Sequence, residues 1–303
     1  MKLKDLKYER MFYVSIIVLI LITFIISLRP LKRENEYKAN KFWLNKTIAE
    51  PIYDIVIIGD SRIYRGISPK EIKKYLPNKN ILNFGYSSAR LSSLLFKQAE
   101  KKLLKTNKNK IIIIGISPNA LISKAYENEH LTESLKKAHE NKYEILYFND
   151  FLKYFEPIRG RDFRKDNSPK YIEKYYNDGW IASDKELRDT NEAIISYKDW
   201  FSKKSVSKKL INKLINQVGI WKNKNITVYG FYMPTSWSMK QIEDSLSGFN
   251  EEIFSAKFEN AGGIWFHFNK NYKSYDGSHL TEKSAIEFSN DLGKKIKKVQ
   301  EIK

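Results

Sequence analysis

The chain has 303 residues and an apolar content of 42%, which is enough to build a hydrophobic core and excludes a disordered or collagen-like chain. It contains no cysteine, which excludes disulfides, zinc–cysteine sites, iron–sulfur clusters and a thiol nucleophile. The formal net charge of +19 is spread along the chain and is compatible with nucleic acid, a membrane surface or an anionic polymer as partner.

An apolar segment lies near the N-terminus. Residues 11–28 carry no charge and no polar face, and about 20 residues suffice for a helix to cross hydrocarbon. The next residues offer no small-residue cleavage site of a signal peptide. We therefore predict a tail at 1–10, a transmembrane anchor at 11–28, a linker at 29–50 and a domain at 51–303. Basic residues flank the span on both sides, so the positive-inside rule does not set its orientation.

After the linker, short apolar runs rich in β-branched residues alternate with helical patterns. The predicted strands are 55–58, 81–84, 111–114, 226–231 and 264–268. The predicted helices cover about 68–75, 88–104, 239–259 and 281–299. Short, continuously apolar strands separated by helices predict an α/β fold with a doubly wound, mostly parallel sheet.

Residues 126–221 break this alternation with aromatic and charged segments. Within them, the capping box at 183–186 predicts the start of one helix, and a second helix is predicted at 207–218. We interpret 126–221 as a helical insertion over the carboxyl edge of the sheet. This insertion either recognises the substrate or is a purely structural helical cap over the sheet.

Two short blocks at the ends of predicted strands carry residues suited to nucleophilic catalysis. Gly59-Asp60-Ser61-Arg62 follows the first strand, and Asp276-Gly277-Ser278-His279 precedes the last helix. A serine hydroxyl needs a neighbouring base, and that base needs a carboxylate to fix its tautomer. Ser61, His279 and Asp276 are therefore the candidate catalytic residues. The alternative explanation of the first block is a plain strand-to-helix turn.

These two blocks resemble those of the SGNH or GDSL-type serine hydrolases. The resemblance covers about residues 54–121 and 226–300 and implies an SGNH-like, flavodoxin-like three-layer fold. In that family a glycine after the second strand and an asparagine after the third help the serine amide to bind the oxyanion. Gly85 matches the glycine, whereas Asn119 is displaced, because the third block reads Gly-Ile-Ser-Pro-Asn instead of Gly-x-Asn-Asp.

The rest of the sequence offers one further candidate residue and lacks several known binding motifs. Arg62, beside the serine, is a candidate substrate-binding residue for an anionic acceptor, or else a solvated or salt-bridged surface group. The chain has no glycine-rich phosphate loop, no residues at metal-ligand spacing and no base-stacking or groove-entering element. We therefore predict no cofactor, no metal and no nucleic-acid partner.

The arrangement of one N-terminal span before such a domain resembles the anchored acyl-transfer proteins of bacterial envelopes. This resemblance implies a single-pass protein of the bacterial cytoplasmic membrane, with an extracytoplasmic domain and a membrane-bound O-acyltransferase as partner. The predicted function is an acyl-ester enzyme that transfers O-acetyl groups to an envelope polysaccharide or removes them. The alternatives are a lipase or esterase on lipids and a non-catalytic binding or assembly partner. The sequence leaves the acyl donor, the acceptor and the oligomeric state open.

Overall fold

The computed structural model of the chain describes residues 3–27, 34–123, 128–148 and 171–302. These residues fall into two compact units, one within residues 1–41 and 141–167 and the other within 42–140 and 168–303. All the strands that the structure describes belong to the second, larger unit, which therefore contains the sheet and the candidate site.

In the smaller unit the structure describes mainly helical residues. Helix α1 covers Leu3–Ser27, helix α2 covers Glu34–Ile48 and begins in this unit, and a π-helical turn covers Glu144–Phe148. Within α1, Tyr8–Ile26 has a mean hydropathy of 2.2 and is long and apolar enough to cross a membrane, although a signal sequence has the same features. The helix thus begins before the predicted span, and the predicted linker contains a second helix.

The second half of α2 belongs to the larger unit. Phe42 and Trp43 pack edge-on against each other, and Trp43 also contacts the ring of Tyr64. The Lys46 ammonium is buried and donates to the carbonyl of Gly179 at 2.9 Å. The larger unit therefore begins near Phe42 and not at the predicted residue 51, because these apolar side chains of α2 are buried against it.

The central sheet has five parallel strands in the order β2-β1-β3-β6-β7. They are β1 at Ile55–Ile58, β2 at Ile81–Asn83, β3 at Lys110–Ile116, β6 at Ile226–Tyr232 and β7 at Ile264–Phe266. The five predicted strands are confirmed: β1 has the predicted bounds, and the other four differ from them by one or two residues. A separate antiparallel hairpin pairs β4, Tyr171–Tyr175, with β5, Ile181–Lys185.

Helices cover both faces of the sheet, as the α/β prediction requires. After α2, the described helices are α3 at Ser61–Gly66, α4 at Pro69–Lys73, α5 at Ser93–Glu100, α6 at Glu129–Glu140, α7 at Glu192–Lys203, α8 at Lys208–Asn223, α9 at Trp237–Leu246, α10 at Glu251–Asn260 and α11 at Glu282–Glu301. Val56 and Ile58 of β1 face the side covered by α5, α8 and α10. Ile55 and Ile57 face α3, α4 and α11. All four side chains are fully buried, so both faces contribute to the core.

The capping box at 183–186 does not begin a helix, and this prediction is wrong. Ser183 and Lys185 lie in β5, where both side chains are buried and the backbone pairs with β4. The Ser183 hydroxyl lies 3.3 Å from that of Tyr275, so it is not used as a helix cap. Strand pairing and burial override the local capping signal, and the next helix, α7, begins only at Glu192.

The predicted helix at 239–259 is in fact two helices, α9 and α10. Gly248 lies between them with φ +72°, a conformation that favours glycine and that no helix interior contains. Asn250 then caps α10, because its side-chain oxygen accepts the Ile253 N–H at 2.9 Å. Gly248 and Asn250 thus combine a helix stop signal with a helix start signal, which the prediction of one helix at 239–259 did not include.

Three other helices differ from prediction. The helix predicted at 88–104 shortens to α5, and Ser88 adopts φ +51°, which a helix does not allow. The helix predicted at 68–75 shortens to α4. Helix α8 buries Leu214 and Trp221 in the core beside the sheet. It is therefore the crossover from β3 to β6 and part of the α/β core, although its residues fall within the predicted insertion.

Candidate active site

The candidate nucleophile lies directly after β1, at the carboxyl edge of the sheet. Ser61 is the first residue of α3, and Asp60 caps that helix by accepting the Arg62 N–H at 3.0 Å. Gly59, before it, has φ +153°, and a Cβ there would meet the Gly115 carbonyl at 2.9 Å. The chain can therefore turn this tightly only at glycine. Strand β1 lies between β2 and β3, where the strand order reverses and ligands of such sheets bind.

The candidate base and acid lie in the loop between β7 and α11, which is closed by its own hydrogen bonds. The Ser274 hydroxyl donates to the His279 carbonyl at 2.7 Å and accepts the Gly277 N–H at 2.8 Å. The Tyr275 N–H donates to the same His279 carbonyl at 3.1 Å. These bonds fix the backbone on either side of the loop, so they orient the His279 ring.

The structure brings Ser61, His279 and Asp276 into one chain of hydrogen bonds. His279 Nε2 lies 2.9 Å from Ser61 Oγ, and His279 Nδ1 lies 2.7 Å from Asp276 Oδ2. The other oxygen of Asp276, Oδ1, accepts the backbone N–H groups of Ser278 at 2.8 Å and His279 at 2.7 Å. These three hydrogen-bond donors together stabilise the negative charge of the Asp276 carboxylate.

The ionisation state of Asp276 sets the tautomer of His279. Burial alone raises the pKa of Asp276, but the hydrogen bond and charge of His279 and the two backbone N–H groups lower it to about 2. An ionised carboxylate only accepts hydrogen bonds, so Nδ1 carries the ring proton and Nε2 is left to accept from Ser61. The arrangement can therefore remove the proton from the Ser61 hydroxyl.

Ser61 and His279 are reachable from solvent, whereas Asp276 is not. Ser61 is half-buried and the His279 side chain is 18% exposed, while the Asp276 side chain is 7% exposed. A substrate can thus meet the nucleophile and the base, and the acid stays shielded from water. This division suits a base that exchanges protons with a bound molecule and an acid that only orients it.

A second buried carboxylate fastens the ends of β1 and β3 together. Asp60 is 1% exposed, and its Oδ2 accepts a hydrogen bond from the Ser117 hydroxyl. Ser117 also caps the short 3-10 turn Pro118–Leu121, which carries Asn119. Asn119 therefore lies at the carboxyl edge, half-buried, with its carbonyl accepting from Arg90 at 2.6 Å. Its part in oxyanion binding stays a prediction. The bond between Asp60 and Ser117 was not predicted from the sequence.

Gly85 lies beside α3 with its N–H already bonded. The amide donates to Asn83 Oδ1 at 3.1 Å, and a Cβ on Gly85 would meet the Tyr64 nitrogen at 2.9 Å. The close approach requires glycine at this position. An oxyanion role for the Gly85 N–H requires this bond to be shared with the substrate, and it also stays a prediction.

Arg62 is not available to a substrate in this structure, which differs from the sequence-based expectation. Its side chain is 0% exposed, and Nη2 forms an ion pair with Glu243 Oε1 at 2.7 Å. Its Nε donates to the Ser278 hydroxyl at 2.9 Å. The guanidinium points into the protein because a buried carboxylate on α9 neutralises it there. A single sequence gives no signal of that partner.

Parts of the predicted insertion reach the same edge of the sheet. In the turn of the β4–β5 hairpin, the Asp178 carbonyl accepts the Asn83 N–H at 2.8 Å. Just inside α7, the Ala193 N–H donates to the Asp276 carbonyl at 3.0 Å. The hairpin and α7 therefore contact the segments that carry the candidate oxyanion glycine and the candidate acid.

A cavity of about 510 Å³ opens where β6 and β7 end. Its lining includes Trp237, which is 71% exposed, together with Tyr232, Lys240 and Lys270. The neighbouring Ser236 N–H donates to the Gly277 carbonyl at 3.0 Å, which joins the cavity rim to the loop of the candidate acid. In the part of the chain that the structure describes, no group of three or more His, Asp or Glu residues is arranged to hold a metal ion.

Comparison with known proteins gives distant likenesses only. No family model matches the chain, and no curated protein matches it. Est24, a carbohydrate acetylesterase from Sinorhizobium meliloti, is 14% identical with a TM-score of 0.40 and covers 81% of this chain and 98% of its own. A Streptococcus pneumonia structure, provisionally described as a platelet activating factor, is 12% identical with a TM-score of 0.35 and covers 92% of this chain and 99% of its own. Both likenesses are too distant to assign the chain to a family.

Proposed function

We propose that this chain is a serine enzyme acting on acyl esters, with Ser61 as nucleophile, His279 as general base and acid, and Asp276 as the group that orients His279. One observation carries the proposal: the unbroken hydrogen-bond chain from Ser61 through His279 to a buried, ionised Asp276. Such a chain supplies what a serine hydroxyl lacks, a base of fixed tautomer within reach of its proton.

The reaction follows from this geometry. Ser61 Oγ attacks the ester carbonyl carbon while Nε2 of His279 takes its proton, and Asp276 balances the positive charge of the imidazolium. The oxyanion of the tetrahedral intermediate is bound by the Ser61 amide, which opens helix α3, with Gly85 and Asn119 as further proposed donors. His279 then gives its proton to the departing alcohol, which leaves an acyl group on Ser61.

The acceptor in the second half of the reaction is proposed to be a sugar hydroxyl of an envelope polysaccharide, or water. The exposed Trp237 beside the cavity of 510 Å³ supports a sugar acceptor, since an aromatic ring can stack on the apolar face of a sugar. The apolar helix Tyr8–Ile26 supports membrane anchoring. An extracytoplasmic domain and a membrane-bound O-acyltransferase partner are parts of the same proposal.

The test is to treat the full-length protein in detergent with a small activated acetyl ester and to look for acetyl on Ser61 by mass spectrometry. The control variant Ser61→Ala must remain unlabelled, while Ser93→Ala, an exposed serine at the start of α5, must label normally. Loss of the acetyl group is then compared with and without envelope polysaccharide.

The outcomes separate the candidate functions. Faster loss with polysaccharide, and acetyl recovered on the sugar, indicate transfer. Loss to water at the same rate indicates an esterase. An unlabelled wild type, under conditions that label a control serine esterase, rejects the enzyme proposal and leaves a binding or assembly partner.

A further inference from the structure

Arg62 and Glu243 form an ion pair that is shut off from solvent. Both side chains are 0% exposed, and Arg62 Nη2 lies 2.7 Å from Glu243 Oε1. Burial alone lowers the pKa of Arg62, but the charge and hydrogen bonding of Glu243 raise it well above its ordinary value. Arg62 is therefore charged, and it directly follows the proposed nucleophile in the chain.

The guanidinium joins the helix of the nucleophile to the loop of the base and acid. Arg62 Nε donates to the Ser278 hydroxyl at 2.9 Å, and Ser278 directly precedes His279. The backbone N–H groups of Ser278 and His279 both donate to Asp276 Oδ1. Arg62, which follows Ser61, is thus hydrogen-bonded to Ser278, which precedes His279.

Three further elements hold this side chain in place. Glu243 lies on α9, and its second oxygen accepts a hydrogen bond from the Tyr232 hydroxyl at the end of β6. The ring of Tyr197, on α7, lies 5.1 Å from the Arg62 guanidinium carbon. The Ser278 hydroxyl lies 3.5 Å from the Tyr197 hydroxyl. The guanidinium therefore has little freedom to adopt another position.

A buried ion pair such as Arg62–Glu243 is not needed for the stability of the fold. Removing two charges from water is costly, and a well-packed apolar pair of similar volume is often as stable or more stable. What an apolar pair cannot do is donate a directed hydrogen bond to Ser278. The geometry of Arg62 therefore gives the pair a use that packing would not supply.

We infer that Arg62 and Glu243 are positioning residues: Glu243 aims the Arg62 guanidinium, and Arg62 acts through Ser278 to hold His279 within reach of Ser61. This inference rests on the proposed function, because it assigns a task within the same site. Loss of the link should let the loop shift relative to α3, and a misplacement of about 1 Å can cost about 100-fold in rate.

Two variants remove the link in different ways. Ser278→Ala deletes only the accepting hydroxyl and keeps the ion pair. The double variant Arg62→Met/Glu243→Gln deletes both charges and keeps an acceptor for the Tyr232 hydroxyl. The matched control, Arg188→Met/Asp184→Asn, removes an ion pair that solvent reaches, in which the Arg188 side chain is 55% and the Asp184 side chain 18% exposed. Its nitrogen–oxygen distances are 2.7 and 2.9 Å.

The measurement is kcat and KM of the full-length protein with a small activated acetyl ester, at a temperature where thermal unfolding shows each variant folded. We expect kcat to fall about 10- to 100-fold in Ser278→Ala and in the double variant, with KM within about twofold of the wild type. The control should keep both constants. A kcat within about twofold of the wild type, in Ser278→Ala or in the folded double variant, overturns the inference.

A second readout separates this inference from the proposed function. In crystals of Ser278→Ala, the distance from Ser61 Oγ to His279 Nε2 should lengthen from 2.9 Å to more than about 3.5 Å, beyond a hydrogen bond. An unchanged distance overturns the inference even if the wild type shows no turnover. If the wild type shows no turnover and keeps the short distance, while the distance lengthens in Ser278→Ala, the proposed function is rejected and the positioning role is supported.

Discussion

Replacement of Asp276 by asparagine tests the link between hydrogen bonding and tautomer in the site. The carboxylate accepts from His279 Nδ1 through Oδ2 and from two backbone N–H groups through Oδ1. An asparagine has one acceptor oxygen, which the two fixed backbone donors retain, so its NH₂ group faces Nδ1. Nδ1 must then accept a hydrogen bond, the ring proton moves to Nε2, and Nε2 no longer accepts from Ser61.

The expected loss is large for rate and moderate for stability. A histidine held in the wrong tautomer lowers kcat about 10⁴-fold, and Ser61→Ala should fall lower still, because Asp276 only orients the base. The pKa of Asp276 falls from 3.8 to about 2 on folding. This depression corresponds to about 2 kcal/mol of stability, which is present above pH 4 and lost as the pH falls toward 2.

The assay uses full-length protein in detergent and an activated acetyl ester for kcat, with urea unfolding at about pH 6 and about pH 3 for stability. Asp199→Asn is the matched control, because Asp199 is an exposed carboxylate paired with Lys203 within α7. We expect the control to behave as the wild type. In the Asp276 variant the difference in unfolding free energy between the two pH values should be smaller than in the wild type by about 1 kcal/mol, because about half of the contribution of Asp276 is already lost at pH 3.

Two results contradict this reasoning. If Asp276→Asn keeps more than about a tenth of the wild-type kcat, the tautomer of His279 does not depend on the carboxylate. If its stability falls with acid as steeply as that of the wild type, Asp276 is not the group whose pKa folding lowers.

Three further predictions concern the fold and the membrane segment. Gly179→Ala should lower the free energy of unfolding by about 2–4 kcal/mol, because the new Cβ would meet the Asn83 carbonyl at 2.1 Å in a backbone with φ +87°. Gly219→Ala on α8, where the nearest atom lies 3.9 Å away, should be neutral or stabilising in the same urea titration. Leu214→Ala, at a fully buried position of α8, should lower the free energy of unfolding by about 2–5 kcal/mol. Leu187→Ala, at a 69% exposed position, should change it by less than about 0.5 kcal/mol, and a larger effect there would contradict the described packing. The full-length protein should stay in the membrane fraction after carbonate and high-salt washes. The double substitution Leu19→Arg/Ile20→Arg should weaken that retention, because it places two charges in the apolar segment. Release of the wild type by salt alone would show that its basic surface holds it at the membrane.

Elements whose signals are local can be predicted from the sequence alone. Runs such as Ile55–Ile58 are too short for a helix and too apolar for an exposed strand, so they predict buried strands wherever they occur. Because a helix lies between successive strands, the strands are expected to run parallel. Parallel strands have their carboxyl ends at the same edge of the sheet. This is why residues as distant as Ser61 and His279 were expected at the same site.

Features that depend on partners far away in the chain become visible in the folded protein. The capping box at 183–186 becomes a strand because β4 offers a pairing edge, and pairing satisfies more backbone groups than a single cap does. Arg62 turns inward because Glu243, on a helix that begins at Trp237, neutralises it in a place without water. The Ser117 hydroxyl is bonded to Asp60, 57 positions earlier in the chain, for the same kind of reason. Hydrogen bonds and ion pairs between distant segments leave no periodic pattern in a sequence, so the chain shows which residues carry the chemistry but not which partner each of them finds.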